Sequence, residues 1–275
     1  MPNVLTDEQV RAFHETGVLT PLRAISEEDA GNCRSKLEAY ETETGKPAVD
    51  TIHIKGHLYF DWAWQLARHP RIVGAIADLA GPDLFILASR FWVKNPHDQK
   101  YVNWHQDHAY FGLKPPTVLT AWIALTEMTR DVGCMRYIPG SHKDGAREHF
   151  EMEDGNNMLS RGQGVQDVDA STAIYCTRKP GEFSISHGHV VHSSEPNLSD
   201  KRCIVFALMY MPVYVESAIG RRAATLVNGE DRYGYWDHDP APTRDRDPVI
   251  MDLMNRANRH YRDRSHKQDT KPAHR

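Results

Sequence analysis

The chain has 275 residues, 40% hydrophobic and 25% charged, with a formal net charge of −4, enough for one large domain with a proper core. This charge balance gives no global positive field to hold nucleic acid or an anionic membrane, and no run approaches the ~18 apolar residues of a membrane span. The start MPNVLTDEQV lacks the basic and apolar regions of a secretory signal, and the four cysteines lack CxxC spacing, so we expect a reduced, cytoplasmic protein without a disulfide frame or thiolate zinc site.

Thr6 and Gln9 make a capping-box pattern that opens a helix over 6–16, with Val10 and Phe13 on its apolar face. Ser26 caps a second helix over 27–43, whose many glutamates read as a solvated face. Leu66, Ile72, Val73, Ile76 and Leu79 recur at helical spacing and predict a third helix over 58–80, stopped by Gly81-Pro82. After residue 83 the texture changes. Segments 84–93, 118–125, 171–176, 182–186 and 203–212 are short and rich in β-formers, and Pro, Gly and Asp clusters separate them. Many short strands at such spacing predict a sandwich or barrel. Residues 140–170 lack periodicity and read as a long functional loop, and the segment from 259 reads as a disordered polar tail. The expected organisation is one domain over 1–258, helical to about residue 82 and with its β core over about 83–215.

Sixteen histidines make a metal site worth seeking. His105 and Asp107 stand two apart in Trp104-His105-Gln106-Asp107, so an extended strand would point both to one side. With a distant second histidine they would form the 2-His-1-carboxylate arrangement that leaves non-haem Fe(II) open positions. A second His-x-Asp, His142 and Asp144, follows the turn Pro139-Gly140-Ser141 and reads as solvated loop. Downstream, His187, His189 and His192 sit at mixed parity, so they cannot all face one way. Ten residues past His192, Arg202 opens an apolar strand, where its planar fork requires an anion such as a carboxylate.

The segments WHQD (104–107), AWIAL (121–125), CMRYIPGSHK (134–143) and GEFSISHGHVVHSSEPNLSDKR (181–202) together resemble the phytanoyl-CoA dioxygenase family of Fe(II)/2-oxoglutarate oxygenases, over about residues 50–212. The resemblance implies a mainly β, cupin-like double-stranded β-helix, or jelly roll, with flanking helices. It implies Fe(II) and 2-oxoglutarate, O2 and a small-molecule substrate as partners, ascorbate as a stimulant, and no nucleic acid or membrane. By position it makes His105, Asp107 and His192 the metal ligands. It assigns Arg202 and Ser194 to the far carboxylate of 2-oxoglutarate, and Trp122 and Lys55 to further cosubstrate contacts. The chain departs from the family pattern in having Val132-Gly133 where Asn-Gly is common, and Ser193 where the distal pattern has Gly.

The sequence does not name the substrate. Residues 147–170 form an acidic stretch hostile to polyphosphate, and Arg90, Lys94, His108, Tyr110 and His187 could receive one compact charged group. Both point to a small polar metabolite over an acyl-CoA. A non-redox cupin-like module or a zinc hydrolase is the alternative on the same ligands, and Arg202 is the feature that would discriminate.

Overall fold

The computed structural model of the chain describes residues 4–151, 154–159 and 163–265. Helix α1 (Asp7–Thr16) carries the expected capping box: Thr6 Oγ1 accepts from Gln9 N, and the Gln9 side chain accepts from Thr6 N. Strand β1 (Val18–Arg23) follows, then α2 (Glu27–Thr44), capped by Ser26, and the short α3 (Ala48–Thr51). The helix expected over 58–80 is two helices, α4 (Asp61–Ala67) and α5 (Pro70–Ala80). Pro70 is the reason. It lacks the N–H an unbroken helix would need, is tolerated in the first turn of α5, and has His69 capping beside it.

The β region runs β2 (Leu84–Lys94), β3 (Val102–His105), β4 (Leu113–Lys114), β5 (Leu119–Ala124), β6 (Met135–Tyr137), β7 (Phe150–Glu151) and β8 (Gln163–Gly164). It continues through β9 (Ile174–Tyr175), β10 (Glu182–His187), β11 (His192–Ser194), β12 (Cys203–Pro212), β13 (Glu216–Ser217), β14 (Ala223–Asn228) and β15 (Asp237–His238). Seven strands form one sheet in the order β1-β10-β5-β12-β2-β14-β15, and four form a second in the order β3-β11-β6-β9. This is the jelly-roll architecture, with the smaller sheet carrying the end of β3 beside β11.

The sheet reaches beyond the expected core. β1 comes from the segment taken as helical, and β14 and β15 lie past residue 215. Residues 170–172 are a 3-10 turn instead of strand, and the stretch 140–170 holds the paired strands β7 and β8. Helix α6 (Pro248–Ser265) runs past residue 259 into the expected tail, whose residues 266–275 lie outside those described.

Two apolar layers fix the sidedness of the large sheet. Along β12, Ile204, Phe206, Leu208 and Tyr210 join the layer that holds Phe13, Leu37, Trp62 and Ile72 of the helices. Cys203, Val205, Ala207, Met209 and Met211 join the layer between the two sheets. Period-two alternation does this sorting. β2 contains a bulge opposite Met209/Tyr210, so its parity flips: Phe85 and Leu87 face inward before it, Trp92 after it. Lys94, paired with Cys203, faces inward with Trp92.

Candidate metal centre and its cavity

His105 ends β3 and His192 begins β11, and the two are direct partners in the antiparallel register. Cross-strand neighbours stand close enough for their side chains to touch, and here the two rings lie 4.1 Å apart between centroids. Gln106 is extended (φ −120°, ψ 131°), so Asp107 returns to the side of His105. One ligand atom from each of His105, Asp107 and His192 lies within 4.8 Å of the others, and all three residues are buried.

The hydrogen bonds settle which atoms face inward. His105 Nδ1 lies 2.8 Å from the Asn103 carbonyl, and His192 Nδ1 lies 3.0 Å from the Val190 carbonyl. A carbonyl only accepts, so each Nδ1 carries the proton and each Nε2 presents a lone pair. Those Nε2 atoms stand 3.4 and 3.5 Å from Asp107 Oδ1. Thr120 Oγ1 donates to the other carboxylate oxygen at 2.8 Å, which holds the plane of the group and leaves Oδ1 for the centre. Burial resists charge on Asp107, but the facing histidines and Thr120 bring its carboxyl down to about 2. Burial also pushes His192 down to about 4. The centre therefore sets the Asp107 carboxylate against the two inward-facing Nε2 atoms, and His192 Nε2 is a buried polar atom with no hydrogen-bond partner. Acceptors that converge with no proton between them need a cation. The donor set and its three-sided arrangement fit a divalent transition metal such as Fe(II).

Gln106, fully buried, fastens this corner. Its Nε2 donates to the Gly145 and His189 carbonyls, and its Oε1 accepts from Arg147 N. His189 N in turn donates to His187 Nδ1, and His108 stacks on His189 at 4.0 Å. These histidines thus brace the loops around the centre and are not among its ligand atoms. The second His-x-Asp lies on a 3-10 turn at the surface, where His142 meets the His14 carbonyl and Asp144 pairs with Arg147.

Beside the centre a cavity opens between the sheets, lined by His105, His192, Trp122, Ser194, Lys94 and Cys203 among others. The Trp122 ring stands 5.8 Å from that of His192, and its indole N–H donates to Ser186 Oγ at 2.9 Å. Ser194 accepts a 2.7 Å hydrogen bond from Lys94 Nζ.

Comparisons with known proteins agree with this architecture. The model of the phytanoyl-CoA dioxygenase (PhyH) family matches residues 1–204. The chain belongs to the phytanoyl-CoA dioxygenase family. It is 31% identical over 148 residues to a Stutzerimonas stutzeri protein named as a probable alpha-ketoglutarate-dependent hypophosphite dioxygenase, covering 53% of this chain and 51% of that one. It is 26% identical over 223 residues to the peroxisomal phytanoyl-CoA dioxygenase of Bos taurus, covering 72% of this chain and 66% of that one. The chain thus spans about half to two thirds of these curated relatives. Among solved structures, the non-heme monooxygenase ThoJ in its apo form superposes with a TM-score of 0.82 at 28% identity, covering 94% of this chain and 98% of that chain.

Two residues assigned by family resemblance are not brought to the cavity. Arg202 lies at even parity before β12, on the side of the helices, where it pairs with Glu41 at 2.7 Å and Glu38 at 3.3 Å and donates to Asn95. Its fork does meet carboxylates, but they belong to α2, so those glutamates are not a purely solvated face. Lys55 lies in a left-handed turn (φ 55°), and its buried ammonium pairs with Asp239 and donates to the Ala223 carbonyl. Asp239 also accepts from Thr225, which bonds His57, so this phytanoyl-CoA dioxygenase family member uses Lys55 in a buried network that ties β14 to the helices. Sequence reasoning could place Thr120 on the face of Trp122 but gave it no task, and it gave Gln106 none. Thr120 shares inward parity with Trp122 on β5, and that parity was the available signal.

Proposed function

We propose that the protein is a non-haem Fe(II)/2-oxoglutarate-dependent dioxygenase that hydroxylates a C–H bond of a small polar metabolite, with release of succinate and CO2. The observation that carries the proposal is the buried convergence of two imidazole lone pairs and one carboxylate oxygen at His105, His192 and Asp107. Family membership and the alpha-ketoglutarate dependence named for the Stutzerimonas relative support the choice of cosubstrate. Fe(II) bound there, with 2-oxoglutarate and O2, supplies the oxidising chemistry.

The chain's own residues then have defined tasks. His105 and His192 contribute neutral nitrogens, and Asp107 contributes the charge. Thr120 fixes the carboxylate's orientation, and the carbonyls of Asn103 and Val190 fix the imidazole tautomers. Trp122 lines the cavity with its ring against His192. The four cysteines are free and three of them are buried, which supports a reducing, cytoplasmic setting. No helix among the described residues is long and apolar enough to cross a membrane.

The zinc hydrolase alternative loses its sequence-level discriminator, because Arg202 is not on the cavity; family membership now favours the oxygenase. The test is succinate formation from 2-oxoglutarate with ascorbate, with Fe(II) or Zn(II), across panels of amino acids, betaines, phosphonates and acyl-CoAs. Fe(II)-dependent succinate stimulated by a small polar compound is the expected result. Turnover with Zn(II) equal to that with Fe(II) would overturn the oxygenase, and stimulation by acyl-CoAs alone would overturn the substrate class.

A further inference from the structure

Lys94 is 4% exposed. Its Nζ donates to Ser194 Oγ at 2.7 Å, to the Gly133 carbonyl at 3.2 Å and to the Glu195 carbonyl. All three acceptors are neutral. The nearby Glu195 carboxylate is occupied elsewhere, accepting from Arg136 at 2.8 Å and from the Tyr175 hydroxyl at 2.9 Å. A buried ammonium with hydrogen bonds but no counter-charge is costly, and that cost falls when an anion enters beside it.

The local backbone is built to hold this cation in place. Gly133 adopts φ +72°, and a Cβ there would fall 2.3 Å from the Glu195 carbonyl oxygen. Only glycine lets the Gly133 and Glu195 carbonyls approach one another around the ammonium. Ser194 accepts from Lys94, so its own proton remains to be donated into the cavity.

The position relative to the metal centre sets the ligand's length. His192 and Ser194 are two apart on β11 and pair in unbroken register with Tyr137 and Met135, so their side chains share a face about 6–7 Å apart. The terminal carbons of a five-carbon diacid lie roughly 5 Å apart, from C–C bonds of about 1.5 Å. A 2-oxo diacid held at the metal by its 2-oxo end therefore reaches Ser194 and Lys94 with its other carboxylate. The intervening wall, with Trp92, Met135, Met158 and Val205, is apolar and suits methylene groups. Among the described residues lining this cavity, Lys94 is the one lysine or arginine.

We propose that Lys94, with Ser194, is the anchor for the far carboxylate of 2-oxoglutarate in this chain, from β2 instead of from the head of β12. This rests on the proposed oxygenase function and adds the residue that selects a dicarboxylate cosubstrate. Lys94 is a binding residue, and its loss leaves the three metal ligands untouched.

The experiment is an anaerobic titration of the Fe(II)-loaded protein with 2-oxoglutarate and, separately, with pyruvate, following the visible charge-transfer band of a chelated 2-oxo acid. Lys94→Met should bind Fe(II) as the wild type does and weaken 2-oxoglutarate by about 30-fold or more, the lower end for breaking a buried charge pair. Pyruvate, lacking the far carboxylate, should bind wild type and variant alike. Lys94→Gln, which keeps a hydrogen-bonding head, should show the same selective loss if Lys94→Met does not fold, and Arg202→Met should titrate as wild type. Unchanged 2-oxoglutarate affinity in the folded Lys94 variant, or loss in Arg202→Met instead, would overturn the anchor while leaving the oxygenase reading standing. A wild-type protein that binds Fe(II) but gives no band with either 2-oxo acid would overturn the oxygenase reading itself.

Discussion

Lys55 and Lys94 are equally buried, each 4% exposed, on opposite faces of the same large sheet. On the helix-covered face Lys55 meets Asp239, and the partly exposed Arg202 meets Glu38 and Glu41. On the inward face Lys94 meets only a hydroxyl and two carbonyls. Burial lowers the proton affinity of both lysines, but at Lys55 the Asp239 carboxylate opposes the shift, whereas Lys94 is pushed down to about 8. The contrast separates two uses of a buried charge. One ties elements of the fold together, and the other is left for a ligand to complete.

That division breaks most severely at the metal centre. Replacing His105, Asp107 or His192 by Ala should abolish Fe(II) binding and turnover, and combined replacements should cost little beyond the first. Calorimetric titration with Fe(II) or Mn(II) checks it, with His142→Ala as the unaffected control. The structural side should answer in stability instead. Asp239→Ala strands the Lys55 ammonium and should cost about 3–5 kcal/mol in denaturant unfolding, with 2-oxoglutarate affinity unchanged in the folded fraction. Thr120→Val, which frees Asp107 to rotate, should weaken the metal by roughly 10–100-fold while leaving the fold intact.

The smallest effects sharpen the contrast between the two faces. Arg202→Met removes a partly exposed pair and should cost about 1–2 kcal/mol of stability, with no change in cosubstrate binding. The affinity for 2-oxoglutarate should decline as pH rises through about 8, because Lys94 then loses the proton that carries its charge. The thiols facing it do not titrate there, because burial pushes Cys134 and Cys203 up to about 12 and 11; the Glu195 carboxylate pairs with Arg136. Asp98 lies farther along the chain and adds to the attraction for the charged form. Titrations at pH 7 and 9 read the decline, and Lys94→Arg, if it binds, should flatten it.

The convergence of His105 and Asp107 was legible in the sequence because they flank an extended residue, and because period two dictates a common side. Arg202 lies away from the cavity, and the sequence hides this for a physical reason. β12 is apolar on both faces, so the run CIVFALMYMP shows no alternation and gives no clue to which parity faces the cavity. Its requirement for a carboxylate was correctly inferred, but the partner came from α2, which no local pattern announces. Lys94 was among the residues read as able to receive a charged group, but the bulge in β2 hid which face it takes, since parity counted from Leu84 places it on the helix side. Lys55 sits in a turn whose partner, Asp239, lies 184 residues away. The break at Pro70 was readable in principle, because proline at a helix start is favoured and in its interior is not.

The most direct test of the central claim is an anomalous-difference map from crystals grown anaerobically with Mn(II) in place of Fe(II), and with 2-oxoglutarate. The expected map has one metal peak among His105 Nε2, His192 Nε2 and Asp107 Oδ1, with the far carboxylate of 2-oxoglutarate against Lys94 and Ser194. A metal peak away from these three side chains, or a 2-oxoglutarate carboxylate seated on Arg202, would contradict it.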